Sequence, residues 1–255
     1  MFGTIETMEK LKNRSRSILI GVSIHLFLAF VIFTLTVRAD MLRSFDFNMT
    51  VRIQDDIPIR LDAFFSTLSV VGRFEWMVVY LVILLIFKRK ILGGIITFGL
   101  FGFAHVIELI GKTILEQPGP PKMFLRAQFG DFPGLHVFTD ASYPSGHSLR
   151  IVFISILLIA AILNIPYIKI KSQKIFDAIK IDNKQLKNFL VLLIQNLIPL
   201  SLIFIFLIFC FVVLISRISL GEHWTTDVIG GGLLGASFAF LSQVFLVNDK
   251  KKQRK

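Results

Sequence analysis

Residues 189–227 read FLVLLIQNLIPLSLIFIFLIFCFVVLISRISLGEHWTTD and contain the two features on which the predicted fold depends. The first part, 189–215, carries no charged side chain. A helix needs about 20 predominantly apolar residues to cross the hydrocarbon core of a bilayer, so this part predicts a membrane-spanning helix. The second part follows directly and gathers Arg217, Glu222, His223 and Asp227. The stretch therefore predicts a transmembrane helix that ends in a polar cluster at one membrane face.

The rest of the chain repeats the apolar pattern of this run. Hydrophobic residues make up 54% of the 255 residues, more than a soluble domain of this size is expected to bury. Six runs are predicted to span a membrane: 17–37, 74–87, 91–110, 149–165, 189–215 and 228–247. The second is the weakest because it is short and begins beside Arg73 and Glu75, and a start upstream at 64–71 stays open. We expect an all-α, polytopic membrane protein built as a six-helix bundle.

Charged residues divide the chain into three parts. A basic segment, 1–16, precedes the six-span region, 17–247, and a basic tail, 248–255, follows it. The formal net charge is +11, and the basic residues cluster beside apolar runs, which favours anionic lipid headgroups over nucleic acid as their partner. The single cysteine, Cys210, lies inside an apolar run and has no intrachain partner for a disulfide. The bilayer is the expected partner, and the sequence indicates no protein partner.

The distribution of basic residues predicts the orientation in the membrane. Lysine and arginine dominate the segment 1–16, the links 88–90 and 169–187, and the tail 248–255. The positive-inside rule places these regions, and with them both termini, in the cytoplasm. The alternate loops are mixed in sign and are expected to face outward. We therefore expect a multi-pass protein of the cell membrane with a site facing outward.

Residues of unusual type gather in the loops predicted to face outward. Residues 117–121 read QPGPP, 143–147 read YPSGH, and 216–227 read SRISLGEHWTTD. Three separate stretches of polar chemistry therefore meet one membrane face, where a functional site is expected.

His223 and Asp227 are four residues apart at the start of the sixth span, and on a helix they would share one face. A carboxylate bonded to one imidazole nitrogen fixes the tautomer and leaves the other nitrogen as a nucleophile. An interfacial histidine beside a helix-capping aspartate would show the same spacing. The pair alone does not separate these two interpretations.

Ser145, Gly146 and His147 precede the fourth span. Ser145 suits the N-cap of that helix, and free N–H groups at a helix N-terminus favour phosphate. Gly146 allows an oxyanion to approach the backbone closely, and His147 could protonate a departing alkoxide. An ordinary helix start that is capped by a serine would show the same sequence pattern.

Lys112 lies at the outer end of the third span and Arg217 at the outer end of the fifth. Either could be a boundary side chain that reaches the headgroups. Glu108 lies one turn before Lys112, with His105 a further turn back, and ionisable residues inside a span indicate function. We interpret Glu108 as a partner that holds Lys112, with a supporting role at the site for all three as the alternative.

The combination of these motifs resembles the type 2 phosphatidic acid phosphatase family, part of a lipid phosphatase and vanadium haloperoxidase-like superfamily. The resemblance spans roughly 112 to 227, and its second and third motifs match residue for residue: 143–147, and Arg217, His223 and Asp227. The first motif departs from the pattern. The family has lysine, six residues, then Arg-Pro, whereas this chain has Lys112, six residues, then Gly119-Pro120.

The resemblance implies a helical bundle that holds phosphate at its outer rim. It implies phosphate ligands at Lys112, Ser145, Gly146 and Arg217, and catalytic roles for three residues: His223 as nucleophile, Asp227 as its orienting carboxylate, and His147 as the acid and base. Arg150 shares the face of His147 on the fourth helix and leans toward its N-terminus, so it is expected to replace the missing arginine, with Arg126 as the alternative. No carboxylate cluster indicates a metal, and no cofactor is expected.

The expected substrate is a lipid phosphate or pyrophosphate of the outer leaflet. Phosphatidic acid, phosphatidylglycerol phosphate and a polyprenyl pyrophosphate all fit, and nothing in the sequence separates them. Hydrolysis is expected to pass through a phosphohistidine. The alternatives are a lipid phosphotransferase, because the first chemical step is the same, and a binding protein without catalysis, which the missing arginine would allow.

Overall fold

The computed structural model describes residues 2–88, 91–126, 141–163, 185–186, 189–190, 193 and 197–246. Within these residues the structure is helical and contains no β-strand, with one isolated antiparallel bridge between Pro118 and Ala141. The α-helices, numbered here in chain order, are α1 (Phe2–Arg38), α2 (Arg43–Asp56), α3 (Asp62–Val71), α4 (Phe74–Lys88), α5 (Ile91–Leu115), α6 (Gly146–Leu163), α7 (Ile198–Ser219) and α8 (Thr225–Leu246). Two short 3₁₀ turns occupy Ile59–Leu61 and Lys122–Phe124.

The chain is a multi-pass membrane protein. Within the described ranges, five helical segments are long and apolar enough to cross a bilayer: Asn13–Arg38, Ile91–Leu115, Gly146–Leu163, Ile198–Ser219 and Thr225–Leu246. Each corresponds to one of the six predicted runs, and the α1 helix extends through the basic segment 2–16 without a break. Their apolar side chains face outward along α1 and α7, where a bilayer rather than water is the suitable solvent.

The second predicted span, 74–87, forms the helix α4 (Phe74–Lys88), which does not reach the length of the five membrane-spanning segments. Residues Phe74–Ile86 form an apolar helix that is shorter than the five others. The upstream segment considered as its extension is a separate helix, α3, because a turn at Gly72 and Arg73 interrupts the chain before α4. Much of the link between the fourth and fifth spans, the end of the fourth run at 164–165 and the tail 248–255 lie outside the described residues.

The α8 helix lies at the centre of the bundle and packs against α1, α5 and α6. Two glycines permit its close contact with α6. A Cβ atom added at Gly231 would overlap the Ser145 carbonyl oxygen, and one at Gly235 would overlap that of Leu149. Around this contact the largest fully buried apolar side chains include Phe101, Phe153, Leu149, Leu157, Leu234 and Val213. The tight α6–α8 contact fixes where α6 begins relative to α8.

Contacts between helix ends establish which ends share a side of the bundle. On one side, the Ser145 N–H, just before α6, donates to the Asp227 carbonyl in the first turn of α8 at 3.0 Å. The Tyr143 hydroxyl bonds Thr34, near the end of α1, at 2.8 Å. Burial raises the pKa of Tyr143 to about 12, so it stays a neutral hydrogen-bonding group.

The opposite side of the bundle holds the other ends. A Cβ atom at Gly93, near the start of α5, would lie 2.7 Å from the Phe245 carbonyl near the end of α8. The end of α1, the start of α6 and the start of α8 therefore share one side, and the start of α5 and the end of α8 share the other. The predicted motifs lie on the first side.

Candidate active site

His223 and Asp227 are joined at the start of α8. The Nδ1 atom of His223 lies 3.3 Å from Oδ2 of Asp227. The Asp227 side chain is 0% exposed and that of His223 14%, so the carboxylate is enclosed while the imidazole reaches the surface. Because α8 begins at Thr225, His223 lies in the turn before the helix. The predicted contact is confirmed, but the prediction that one helix face carries both residues is wrong.

Asp227 also closes the first turn of α8. Its Oδ2 atom accepts the backbone N–H of Trp224 at 2.8 Å. An acidic residue at the third helical position makes this reverse contact in a capping box. Asp227 is therefore both a helix-capping residue and the hydrogen-bonding partner of His223, so capping and contact with the histidine are not alternatives. A carboxylate bound by backbone and side chain alike is held in one orientation.

Ser142 is a site residue that the sequence motifs missed. Its hydroxyl donates to Oδ2 of Asp227 and lies 3.1 Å from Nδ1 of His223. Its own backbone N–H donates to the Gln117 carbonyl at 2.8 Å, which ties it to the Pro-rich turn. A serine directly before the YPSGH motif has no spacing signal of its own, because its partners lie about 80 residues further along the chain. Ser142, His223 and Asp227 form a closed three-residue cluster.

The start of α6 lies beside this cluster. Ser145 is the predicted N-cap, and its Oγ accepts the N–H of Ser148 at 3.4 Å, as a capping serine does. Gly146 is the first residue of α6 and His147 the second, half-buried. Because the Ser145 N–H bonds the Asp227 carbonyl, the first turn of α6 is placed next to the His223–Asp227 pair.

Lys112, the predicted phosphate ligand on α5, is paired with Glu108. Its Nζ atom donates to Oε1 of Glu108 at 2.9 Å, and Oε2 of the same carboxylate lies 2.7 Å from Nδ1 of His105. Glu108 is 5% exposed. The prediction that Glu108 holds Lys112 is confirmed, and the alternative that all three residues act together is compatible with the same contacts.

Gly146 and Arg150 meet Glu108 from α6. A Cβ atom at Gly146 would overlap Oε1 of Glu108 and lie 2.9 Å from Nη1 of Arg150. Arg150 also donates from Nε to the Gly72 carbonyl at 3.1 Å, and Glu108 and Glu75 are its anionic neighbours. The oxyanion that approaches the Gly146 backbone is thus the Glu108 carboxylate. Three predicted phosphate ligands, Lys112, Gly146 and Arg150, surround it.

Arg217 is fully buried beneath the loop that carries His223. Its guanidinium donates to Oε2 of Glu222 at 2.6 Å and lies near the Ser216 hydroxyl. Its carbonyl accepts the backbone N–H groups of Glu222 and His223 at 3.1 and 3.2 Å. The loop turns at Gly221, whose φ of +71° suits glycine and whose Cα packs against the Phe124 carbonyl. Arg217 thereby supports the loop as well as carrying a positive charge beside it.

Position 119 lies at the edge of the cluster. A Cβ atom at Gly119 would lie 3.7 Å from the Ser142 hydroxyl, so a side chain there would enter the site. Arg126, the alternative replacement, is bound elsewhere. Its guanidinium donates to the carbonyls of Ile57 and Gln54 and to Oδ1 of Asp62, which fastens the loop to the end of α2 and the start of α3.

No three histidine, cysteine, aspartate or glutamate side chains among the residues that the structure describes are grouped to hold a metal ion. That the reaction is independent of metal stays a prediction. It is checked by whether turnover persists in EDTA.

Comparisons with known proteins agree with the motifs and the fold. The sequence profile of the PAP2 superfamily matches residues 89–251. The crystal structure of a transmembrane PAP2 type phosphatidylglycerolphosphate phosphatase from Bacillus subtilis superposes with a TM-score of 0.62 at 22% identity, covering 91% of this chain and 98% of that chain. No curated protein matches the sequence. The profile covers more than half of the chain and contains Lys112, His147, His223 and Asp227, so the chain belongs to the PAP2 superfamily.

Proposed function

We propose that this protein is an integral membrane phosphatase that hydrolyses a lipid phosphate or pyrophosphate. The observation that carries the proposal is the contact of His223 Nδ1 with Asp227 and Ser142. A proton held on Nδ1 leaves Nε2 with its lone pair free to attack phosphorus. The enclosed Asp227 stabilises the positive charge that develops on the ring, as the aspartate of a catalytic triad does.

In the first step the Nε2 atom of His223 attacks phosphorus and the bond from phosphorus to the leaving oxygen breaks. The electron pair stays on that oxygen, which takes a proton from His147. In the second step His147 removes a proton from water and the hydroxide attacks phosphorus. The nitrogen–phosphorus bond then breaks, its electrons return to Nε2, and inorganic phosphate leaves. Each residue ends in its starting protonation state.

The charge on the phosphoryl oxygens must be balanced in both steps. Lys112, Arg150 and Arg217 supply that balance in this proposal, together with Ser145 and the Gly146 N–H at the start of α6. Arg150 supplies the contact to the phosphoryl group that the family makes with the arginine at the position of Gly119. Its support is its guanidinium beside Gly146, whereas Arg126 is bound to the segment after α2.

The proposed substrate is set by the position of the site. The motifs lie at one end of a membrane-spanning bundle, within reach of lipid headgroups and not of the bilayer centre. The Bacillus subtilis protein of similar fold is a phosphatidylglycerolphosphate phosphatase. We include phosphatidylglycerol phosphate, phosphatidic acid and polyprenyl pyrophosphate in the substrate class. The basic links support six spans with α4 as the second, cytoplasmic termini and an outward-facing site.

One observation favours a second function, a binding protein without catalysis. Position 119 faces Ser142 but has no side chain, so one charge is missing beside the site. The two functions differ in turnover. Purified full-length protein is incubated in detergent with each of the three lipids, and inorganic phosphate is measured with a His223→Ala variant as control. Phosphate release by the wild type alone supports the phosphatase. Tight binding of a lipid phosphate without release by the wild type would establish the binding protein instead.

A further inference from the structure

The α2 helix reaches the site from outside the part of the chain that matches the PAP2 profile. Asp46, on α2, is 3% exposed, and both its carboxylate oxygens bond Thr226 in the first turn of α8. Oδ1 accepts the Thr226 backbone N–H at 2.8 Å, and Oδ2 accepts the Thr226 hydroxyl at 2.6 Å. Thr226 is itself fully buried and directly precedes Asp227.

This contact supplies the acceptor for an N–H group of the first turn that the residue before α8 does not provide. The first N–H groups of a helix have no partner within it, and a serine, threonine, asparagine or aspartate just before the helix usually provides one. The residue before α8 is Trp224, which has no acceptor to offer. Asp46 provides the acceptor from another helix, and its negative charge lies at the positive end of the α8 dipole.

The same helix also holds the end of α7. Gln54, two turns after Asp46 on α2, donates from Nε2 to the Ser219 carbonyl at 3.0 Å and to the Phe124 carbonyl at 2.7 Å. The short loop that carries His223 runs from the end of α7 to the start of α8. The α2 helix thus binds the chain on both sides of that loop, with Asp46 on the side of Asp227.

Asp46 and Asp227 also interact through their charges. Burial first, and the Asp227 charge to a smaller extent, raise the pKa of Asp46 to about 6 against the lowering effect of the Thr226 bonds. Among the described residues, Asp227 is the charged group whose electrostatic interaction with Asp46 affects the pKa of that residue. The other helix packed against α2 is α7, whose Arg217 at this end is bonded to Glu222.

We infer that Asp46 is a positioning residue for the reaction: by capping α8 through Thr226 it fixes the first turn of that helix and so the orientation of Asp227 toward His223. The inference rests on the proposed function for its kinetic consequences. The structural consequence, a first turn of α8 that is ordered by α2, is independent of it. Both are measurable in the intact protein.

The kinetic test compares four variants in the phosphate-release assay. Asp46→Ala removes both bonds and is expected to lower kcat roughly 10- to 100-fold with KM close to wild type, because misplaced catalytic groups cost that much. Asp46→Asn keeps both bonds, since its amide can donate to the Thr226 hydroxyl, and is expected to keep most of kcat. Thr226→Val removes one bond and is expected to fall between them. Asp55→Ala removes an exposed carboxylate from the same helix and is the matched control.

The comparison of Asp46→Asn with Asp46→Ala separates positioning from loss of a charge. Both variants remove the negative charge, but only Asp46→Ala removes the two bonds to Thr226. A wild-type kcat in Asp46→Ala, or an equal loss of kcat in Asp46→Asn and Asp46→Ala, would overturn the inference.

Hydrogen–deuterium exchange covers the case in which Asp46→Ala is unstable or the wild type is inactive. Exchange is measured over residues 223–229 in the wild type, Thr226→Val and Asp46→Ala. Faster exchange in the variants, with unchanged exchange in α6, supports the inference. Unchanged exchange over 223–229 overturns it. Absence of phosphate release by the wild type would defeat the proposed function and leave this result standing.

Discussion

At the scale of single residues, the site depends on how Asp227 Oδ2 is shared. That atom receives the Ser142 hydroxyl and the Trp224 N–H and contacts His223, while the other oxygen is buried without a hydrogen-bond partner among the described residues. Hydrogen bonds to a charged acceptor are the stronger kind, and several on one oxygen fix its position. The orientation of the proposed nucleophile is thus set by Ser142 as much as by Asp227.

Ser142→Ala tests this sharing. Loss of a hydrogen bond to a charged group costs about 1.5–3 kcal/mol, so we expect kcat to fall roughly tenfold or more while the protein remains folded. The measurement is phosphate release together with thermal unfolding in detergent. Ser242→Ala removes a buried hydroxyl that bonds only its own helix, at the Phe238 carbonyl, and is the control. Equal activity of the two variants would remove Ser142 from the site.

Arg150 carries the second residue-scale prediction. We expect Arg150→Lys to fold but to lose much of kcat, because a point charge cannot replace a two-pronged guanidinium. Because position 119 faces Ser142, adding Gly119→Arg to Arg150→Ala is expected to recover part of the lost rate. Turnover near that of the wild type in Arg150→Lys and Arg150→Ala, with Arg126→Ala inactive, would assign the role to Arg126.

What the sequence could reveal of the site depended on distance along the chain. Lys112 with Glu108, and His223 with Asp227, are four residues apart along the chain, so their spacing predicts their contact. Ser142 and Asp46 meet the same site across about 85 and 180 residues. Such contacts exist only once α2, α6 and α8 are packed together, and no local pattern encodes them.

At the scale of helices, the contact of α6 with α8 determines where the start of α6, the proposed phosphate-binding end, lies. Gly231 permits that contact because its Cα lies against the Ser145 carbonyl, and Ser148 is close behind it. The apolar runs predicted these two helices with ends displaced by a few residues. They also predicted the short α4 within one residue, but left open the break at Gly72, because it depends on a turn beside an apolar region.

Gly231→Ala tests the helix contact. The added Cβ would overlap the Ser145 carbonyl, and overpacking of this kind costs about 1–3 kcal/mol, so we expect a lower unfolding temperature and reduced phosphate release. Gly232→Ala is the matched control, since its Cβ would meet only Val152 Cγ2 at 3.8 Å. A Gly231→Ala protein with the stability and turnover of the control would show that the close approach of α6 is not required.

At the scale of the whole molecule, the polar motifs gather at one end of the helical bundle. The starts of α6 and α8 and the end of α1 gather the motifs, while the start of α5 and the end of α8 lie opposite. In the sequence, the start of α5 adjoins the basic link 88–90 and the end of α8 adjoins the basic tail 248–255, so the positive-inside rule predicts a cytoplasmic location for the second side. The charge pattern could predict this separation because each span reverses the direction of the chain.

Orientation in the membrane is the prediction at this scale. We expect a reporter fused after Lys255 to read as cytoplasmic. A cysteine placed at Asp140, in a Cys210→Ser background, is expected to react with a membrane-impermeant reagent added outside intact cells. Labelling of that cysteine only after cell lysis, with an external reporter, would place the site at the inner leaflet and change the substrate class.

The central claim is that His223 becomes phosphorylated during turnover, and trapping that intermediate tests it most directly. Purified full-length protein is mixed with a lipid phosphate carrying a radioactive terminal phosphoryl group, quenched in alkali within the first turnover, and digested for mass spectrometry. The account predicts an acid-labile phosphoryl group on His223 that is absent in His223→Ala, whose phosphate release is lost. A phosphoryl group on another residue, or His223→Ala protein that turns over substrate at the wild-type rate, would contradict it.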